Sequence, residues 1–323
     1  MPMLENIAKA QPTPGDAHIN KPLTNISVAY VQKQGWVADI VFPQVPVENQ
    51  SDLYYTFTKD DFWRDEAKVR APATESAGGG FGLSTTAYRC TVEAYHKDID
   101  DQLRANADSV LQLDRAATEF VTQKLMIRRE RRWATTFFTT GVWGTDITPG
   151  TLWSVSATSD PMADVELGKV AIALNTGFVP NTMVIGYQVL SALRNNAKIR
   201  DQFKYTSAES INEAMIARFF GLDRVLVMQN VYATGNEGAA APANAFIGGK
   251  SALLCYSAPS PSIMTPTAGY SFAWTGFAGA SNGTRIKRFR MENLEADRIE
   301  GQMAYDQRVI APAMGYFLNG VVA

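Results

Sequence analysis

Two segments in the first third of the chain alternate apolar and polar residues with the period of two that is typical of β-strands. They are residues 53–58 and 88–95, and their apolar positions are Leu53, Tyr55 and Phe57, then Tyr88, Cys90, Val92 and Ala94. Residues 60–87 lie between them, charged at first and then rich in alanine and glycine. A two-stranded ribbon is marginal alone in water, and a loop this long is usually functional. We therefore expect the ribbon to lean on another copy of the chain.

The charged start of this loop holds tryptophan and arginine, the residue types that most often dominate interface energies. The candidates for contact with another subunit are Trp63, Arg64, Asp65, Glu66 and Arg70. Carboxylates also cluster at Asp60–Asp61 and at Asp98, Asp100 and Asp101, each flanked by lysine or arginine. This pattern favours a solvated surface, or one that forms ion pairs with another chain, over a metal or glycosidase site.

The longest helix pattern runs from about Ser109 to Phe138 and contains neither glycine nor proline. Asn106 and Asp108 are its candidate N-caps, and about 30 residues would span roughly 45 Å. At 100° per residue, one face collects apolar residues, interrupted by Lys124 and Arg131: Leu113, Ala116, Ala117, Phe120, Ile127, Ala134 and Phe138. We expect Phe120 to pack in the core.

The second half of this helix is strongly basic around a single acid, Glu130. Its arginines are Arg128, Arg129, Arg131 and Arg132. Two interpretations are open, contact with DNA or packing and pairing with another subunit. The second is favoured because cations suit the C-terminal half of a helix and arginine suits inter-chain ion pairs.

Four further segments are distinguished by their sequence patterns. Residues 1–25 are polar and broken by prolines, which predicts an extended arm, and residues 37–47, with Pro43 and Pro46, predict an edge-running ribbon. Residues 161–284 predict a separate α+β unit. Its helices are expected from Pro161, capped by Asp160, to near Gly177, over Tyr187–Asn195 and over Ser210–Phe220, and its strands at Thr182–Ile185, Arg224–Met228 and Ser251–Tyr256. Residues 285–323 are strand-like again.

Composition excludes several classes of protein. The 323 residues carry a net charge of −2, so no global basic field exists to hold nucleic acid. The two cysteines form no disulfide framework or metal set, and two histidines are too few for most acid–base or zinc chemistry. No apolar run approaches the ~20 residues of a membrane span.

Three short motifs imitate catalytic or nucleotide-binding sites. Residues 279–283 match a G-x-S-x-G elbow, but both histidines precede the serine. Residues 249–251 resemble the end of a phosphate loop but lead into a strand, and the glycines at 78–82 lack dinucleotide-binding spacing. We predict no catalytic, cofactor-binding or metal-binding residue.

Taken in order, these segments resemble the major capsid proteins of tailed bacteriophages, which have the Hong-Kong-97-type shell fold shared with encapsulins. The resemblance covers about 36–322 and rests on an ordered set of segments, none of them diagnostic alone. They are Val41–Val47, Tyr54–Tyr55, Arg64–Glu66, Val69–Pro72, Tyr95–Ile99, Arg129–Arg131, Pro180–Gly186 and Phe220–Leu222.

The resemblance implies an α+β chain with four parts. They are an N-terminal arm at 1–50, an extended β-ribbon loop at 51–98 that reaches over a neighbour, a peripheral domain with a long spine helix at 99–160 and 285–323, and an axial domain at 161–284. Many relatives begin with a scaffolding segment of about 100 residues. Because the ribbon here starts near residue 51, the resemblance implies a separate scaffolding protein.

The implied function is self-assembly into pentamers and hexamers of an icosahedral shell, made in the host cytoplasm and part of the virion. The shell would enclose double-stranded DNA without sequence-specific binding, with a portal and decoration proteins as further partners and no membrane. An encapsulin-type compartment is the alternative, although the proline-broken arm argues against its cargo groove. An α/β enzyme is a more distant alternative, for which no site is recognisable.

Overall fold

A computed structural model describes residues 32, 35–57, 59–107, 112–203, 211–235, 243–260, 265–277 and 283–323. The predicted arm at 1–25 and the candidate cap Asp108 lie outside the described residues. The described chain is a mixture of helices and two five-stranded sheets.

The first sheet is organised around one long strand, β13, whose edges carry β12 and β4. Strand β11 pairs with the C-terminal end of β13 and with β1. These strands are β1 (Gln44–Val47), β4 (Thr91–Asp100), β11 (Gly269–Trp274), β12 (Thr284–Met291) and β13 (Ala296–Val309). Pro46 sits in β1, an edge position that tolerates a missing N–H donor, so the predicted edge strand is confirmed there.

The second sheet has the order β5-β14-β10-β6-β7 and buries its three central strands completely. Its strands are β5 (Thr145–Ile147), β6 (Thr182–Gly186), β7 (Arg224–Met228), β10 (Ala252–Cys255) and β14 (Gly315–Leu318). The three strands predicted in 161–284 are therefore present. Strands β5 and β14 come from segments assigned to the peripheral domain, so the predicted divisions near 160 and 285 do not coincide with the sheets.

Helices cover both faces of the second sheet. On one face, α4 to α7 pack over side chains such as Met183 and Leu254. On the other face, α1 and the end of α3 pack over Val184 and Leu253. The helices are α1 (Ala38–Val41), α2 (Asp101–Asn106), α3 (Leu113–Phe137), α4 (Pro161–Thr176), α5 (Tyr187–Asn195), α6 (Ala197–Phe203) and α7 (Glu213–Phe219).

Helix α4 begins and ends as its sequence predicts. The Asp160 carboxylate accepts a hydrogen bond from the Ala163 N–H at 3.2 Å, and Pro161 takes the first helical position. Gly177 closes the helix with a φ of +71°, a conformation that glycine adopts without steric cost.

Helix α3 is shorter than predicted, and its buried face shares Ala117 and Ala134 with the predicted one but is otherwise different. It begins after Gln112, which makes no side-chain capping bond, and Asn106 instead ends α2, so the cap prediction for Asn106 is wrong. The residues buried against the first sheet include Val121 and Leu125, whereas Phe120 is 39% exposed. The prediction for Phe120 is therefore wrong.

The helix face is selected by a close approach to β13. A Cβ added at Gly301 would lie 2.6 Å from Val121 Cγ1 and 2.8 Å from Leu125 Cδ1. The backbone at Gly301 thus admits these two side chains, and Phe120 is turned toward the Tyr95 ring, 5.9 Å away. The helical period of the sequence cannot show which α3 residues contact Gly301, because Gly301 is distant in the chain.

Residues 37–47 depart in part from the extended ribbon that their prolines predict. Residues Ala38–Val41 form the helical turn α1, because the Glu130 carboxylate on α3 accepts hydrogen bonds from the Val37 and Ala38 N–H groups at 2.9 and 3.0 Å.

Two antiparallel strand pairs lie outside the five-stranded sheets. They are β2 (Ser51–Phe57) with β3 (Leu83–Arg89), and β8 (Val231–Ala233) with β9 (Asn244–Phe246).

Candidate inter-subunit surfaces

The predicted ribbon exists, but its second strand differs from the prediction. Strand β2 pairs with β3, and the chain then changes sheet at Cys90, so that 91–95 pair with β13 instead. Cys90 is fully buried, and its N–H donates to the Gln50 carbonyl at 2.8 Å. The alternation of apolar and polar residues continues through this junction, which explains why the sequence suggests one strand.

The two faces of the β2–β3 ribbon have different surroundings. At the base, the Tyr54 and Tyr88 rings lie 5.4 and 4.6 Å from the Phe272 ring and fix the ribbon to the first sheet. On the opposite face, Leu53, Tyr55 and Leu83 are 59%, 64% and 53% exposed. This apolar face, defined here as the ribbon face, is solvent-exposed in the single chain.

The loop candidates lie together beyond the ribbon, and all five are exposed. Arg64 contacts Asp61 at 3.2 Å and Glu66 at 3.9 Å, and the Arg70 Nε donates to the Thr74 carbonyl. Arg64 is an exposed partner in both ion pairs, and surface ion pairs of this kind contribute little to folding. Trp63, 51% exposed, and Asp65 complete a mixed aromatic and charged surface.

Arg128 and Arg132 on α3 share a carboxylate of their own chain. Glu93 on β4 accepts from Arg128 Nε at 3.2 Å and lies 3.5 Å from Arg132 Nη1. The Tyr305 hydroxyl donates to the same carboxylate at 3.0 Å. These contacts hold α3 on the first sheet, so the pairing that the sequence assigns to another subunit is in large part satisfied internally.

Arg129 and Arg131 differ in their exposure. Arg129 is buried, 2.5 Å from Asp39 Oδ1, and lies over the Tyr305 ring at 5.0 Å. It has no surface toward a neighbour, so its prediction as a subunit contact is wrong. Arg131 is exposed and stacks on the Tyr232 ring at 4.3 Å. Of the four arginines, Arg131, Arg128 and the partly exposed Arg132 remain candidates, and the DNA-contact alternative loses Arg129 too.

Glu130 is a structural residue to which the sequence analysis assigns no role. It is 2% exposed and caps α1, joining the N-terminal segment to α3. Burial raises the pKa of its carboxyl to about 7, although the two N–H donors and Arg129 favour the charged form. Its signal in the sequence is its position as the single acid among four arginines.

The predicted acidic clusters form ion pairs within the chain. Asp98 pairs with Arg298 at 2.7 Å, and Asp101 pairs with Arg290 at 2.5 Å. The hydrogen bonds from Arg298 hold the pKa of Asp98 below its usual range. These carboxylates form ion pairs, but their partners belong to the same chain and not to another subunit.

Reactive chemistry is sparse in the part of the chain that the structure describes. No group of three or more His, Cys, Asp or Glu side chains there is placed to hold a metal ion. Burial raises the pKa of Cys90 to about 11 and that of Cys255 to about 12, which keeps both thiols protonated near neutral pH. His18 and residues 278–282 lie outside the described residues. Over the described ranges, no helix is both long and apolar enough to span a membrane.

In sequence, the chain is similar to a phage capsid protein. No protein-family model matches the chain. The major capsid protein of Burkholderia phage BcepMu is 23% identical over 228 residues, which are 68% of this chain and 71% of the phage protein.

Two solved structures have the same fold over nearly their whole length. A phage-related protein from Bordetella bronchiseptica RB50 is 21% identical with a TM-score of 0.68, covering 90% of this chain and 93% of its own. The capsid protein of cyanophage P-SCSP1u is 12% identical with a TM-score of 0.56, covering 90% of each chain. The predicted α+β fold class is confirmed by these likenesses.

Proposed function

We propose that this chain, a phage shell protein with the Hong-Kong-97-type fold, is the major capsid protein whose pentamers and hexamers close into an icosahedral shell around double-stranded DNA. The observation that carries the proposal is the ribbon face. Exposing Leu53, Tyr55 and Leu83 to water is unfavourable for a single chain. Exposed apolar surface of this kind is typical of an interaction site, and a neighbouring subunit would cover it in an assembly.

The geometry suggests how one chain fits several environments. The base of the ribbon is fixed through Tyr54, Tyr88 and Phe272, so the direction of the hairpin is defined. The loop beyond it is held by weak exposed ion pairs and carries Trp63 and Arg64. A rigid base with an adaptable tip lets identical chains make similar contacts at pentamers and hexamers.

The four-part division of the chain belongs to the same proposal. The arm would be 1–50, the extended loop 51–98, the peripheral domain 99–160 and 285–323, and the axial domain 161–284. The buried packing of α3 on β13 supports its role as the rigid spine of the subunit. The chain runs from β13 in the first sheet to β14, which pairs with β10 in the second sheet. This connection links the two sheets directly.

Partners and location follow from a container function. The subunits would be made in the host cytoplasm and would work with a separate scaffolding protein, a portal and decoration proteins. The net charge of −2 and the internal pairing of Arg128 and Arg132 support enclosure of DNA without sequence-specific binding. A structural role without catalysis or cofactor is part of this proposal.

The proposal is tested by shortening the loop. Replacing 58–82 with Asn-Gly joins Phe57 to Leu83 through a two-residue turn, which the register of β2 and β3 permits. We expect unchanged circular dichroism and cooperative unfolding, but few closed shells by sedimentation and electron microscopy. Normal shells from this variant would contradict a role of the loop in assembly.

A second variant keeps the loop length and changes Trp63, Arg64 and Arg70 to alanine, which separates side-chain contacts from loop geometry. The unmodified chain is the control, and its shells also decide the encapsulin alternative. DNA recovered from shells assembled in infected cells supports the capsid function, whereas a protein cargo without DNA would contradict it.

A further inference from the structure

The exposed side of α3 that lies along β4 collects positive charge. Lys124, Arg128 and Arg131 follow one another at steps of four and three residues, which places them on one side of the helix. Lys97 of β4 lies beside them, because its Nζ and that of Lys124 are 5.1 and 5.4 Å from the centroid of the same ring, Phe120. These four cations are called the α3 cation stripe.

Aromatic rings hold three of the four cations in place. An ammonium or guanidinium group within about 6 Å of the face of a ring is attracted by the ring electrons. The exposed Phe120 ring therefore orders Lys97 and Lys124, and the Tyr232 ring orders Arg131, which lies over it at 4.3 Å. Side chains that are ordered in advance lose less conformational freedom when they bind an anion.

Carboxylates of the same chain neutralise little of this charge. Arg128 pairs with Glu93 at 3.2 Å, but Arg132 shares that carboxylate, and the Arg128 side chain is still 62% exposed. In the described part of the chain, the other three members of the stripe form no ion pair. Four cations thus face one shared carboxylate in a chain whose net charge is −2. This local excess is suited to an anionic partner from outside the chain.

The α3 cation stripe and the β2–β3 ribbon belong to opposite faces of the first sheet. Neighbouring residues of a strand point to opposite faces, and Ser271 and Phe272 are neighbours in β11. The Arg129 guanidinium of α3 donates to Ser271 Oγ at 3.3 Å, whereas the Tyr88 ring at the base of the ribbon stacks on Phe272. A subunit that docks on the ribbon therefore approaches from the side opposite the stripe.

The charge of the possible partners favours nucleic acid over the loop of a neighbour. The loop at 59–82 has five acids but also four bases, so it would bring almost as many cations as anions. Duplex DNA carries one negative charge per about 1.7 Å and no positive charge. Along the roughly 10 Å from Lys124 to Arg131, a duplex presents about six phosphates.

We propose that the α3 cation stripe binds the phosphates of the enclosed double-stranded DNA. Such contacts carry no sequence information, which agrees with enclosure that is not sequence-specific. For the exposed arginines of α3, this selects contact with DNA over pairing with another subunit. The proposal rests on the proposed function, because the shell supplies the DNA.

Binding of a labelled duplex of about 20 base pairs to unassembled subunits, followed by fluorescence anisotropy, tests the proposal. The stripe variant combines Lys97→Ala, Lys124→Ala and Arg131→Ala, and it keeps Arg128 because that residue also holds Glu93. We expect at least tenfold weaker binding at about 50 mM salt. The slope of log K against log salt should fall by about 2.7, since each lost phosphate contact removes about 0.9. A duplex of unrelated sequence should give the same values.

Two further variants separate the stripe from total charge and from folding. The control variant combines Arg200→Ala, Lys250→Ala and Lys287→Ala, which removes the same charge from exposed positions outside the stripe. Its affinity should change by less than about twofold, because phosphate contacts act locally. The conservative variant, with Lys97→Arg, Lys124→Arg and Arg131→Lys, keeps every charge and should bind like the unmodified chain. Circular dichroism compares the fold of all three.

The outcomes separate this inference from the proposed function. Weaker binding and a smaller salt slope in the stripe variant, with little change in the control variant, support phosphate contact at the stripe. Equal affinities of these two variants overturn it, while DNA-filled shells of the unmodified chain would leave the capsid function standing. A stripe variant that binds DNA normally but closes no shells also overturns it, because the stripe then contacts another subunit. If the unmodified chain forms no shells, the capsid function fails, whereas selective loss of DNA binding still upholds the stripe.

Discussion

The second sheet and the β2–β3 ribbon use apolar strand residues in opposite ways. In the sheet, Leu254 and Phe317 are at most 1% exposed, because helices from the same chain cover both faces. In the ribbon, Leu53 and Tyr55 are more than half exposed, because the chain covers only the base. Apolar alternation therefore identifies strands that need a cover, while the fold decides whether that cover comes from the same chain.

A matched pair of leucine substitutions tests this difference between sheet and ribbon, with the largest expected effect on stability. Leu254→Ala should lower the free energy of unfolding by about 2–5 kcal/mol, because it leaves a cavity in the buried sheet. Leu53→Ala should change it by less than about 0.5 kcal/mol, since the side chain is exposed in the single chain. Chemical denaturation of unassembled subunits measures both values. A large loss for Leu53→Ala would show that the ribbon face is already covered within the subunit.

A second pair compares glycines in a packed and an open region. Gly301→Ala should destabilise the subunit by about 1–3 kcal/mol, because the new methyl group overlaps Val121 and Leu125. Gly80→Ala in the loop should be nearly neutral, as nothing lies within 4 Å of its added Cβ. Thermal unfolding compares the two variants. Equal stability would mean that α3 does not lie directly on β13.

Glu130 gives a smaller, pH-dependent effect in the packed region. Its pKa is raised from 4.5 to about 7 in the folded chain, so its contribution favours folding at low pH and is lost as pH rises through that window. Glu130→Gln cannot ionise and should flatten the pH dependence of unfolding between about pH 4.5 and 7. Denaturation midpoints across this range would show the difference, with Glu119→Gln as control at a partly exposed site on α3 where the carboxylate pairs with Arg115. If the pH dependence of unfolding is the same in Glu130→Gln as in the unmodified chain, the Glu130 carboxyl is solvated and not buried.

Local rules predict the elements whose signals lie within a few residues of each other. Helix α4 is predicted at both ends because Asp160, Pro161 and Gly177 act on the adjacent backbone. The buried face of α3 is not predicted, because Gly301, far away in the sequence, selects Val121 over Phe120. The strand exchange at Cys90 is equally hidden, since alternation is the same before and after it.

The candidate contact residues also differ in whether the local sequence predicts their exposure. The loop set around Trp63 and Arg64 is exposed, as its polar and glycine-rich context suggests. Charge alone groups Arg129 with the neighbouring arginines, yet Asp39 and the Tyr305 ring enclose it within the chain. A basic run cannot show which of its members turn inward, because that depends on acids brought close by the fold.

Hydrogen–deuterium exchange before and after assembly tests the central claim most directly. Amides of β2 and β3 should exchange much more slowly in assembled shells than in free subunits, because a neighbour then covers the ribbon face. Amides of β6 and β10, covered by their own chain, should show little change. Equal exchange of the ribbon in both states would contradict the claim that its exposed apolar face is completed by another copy.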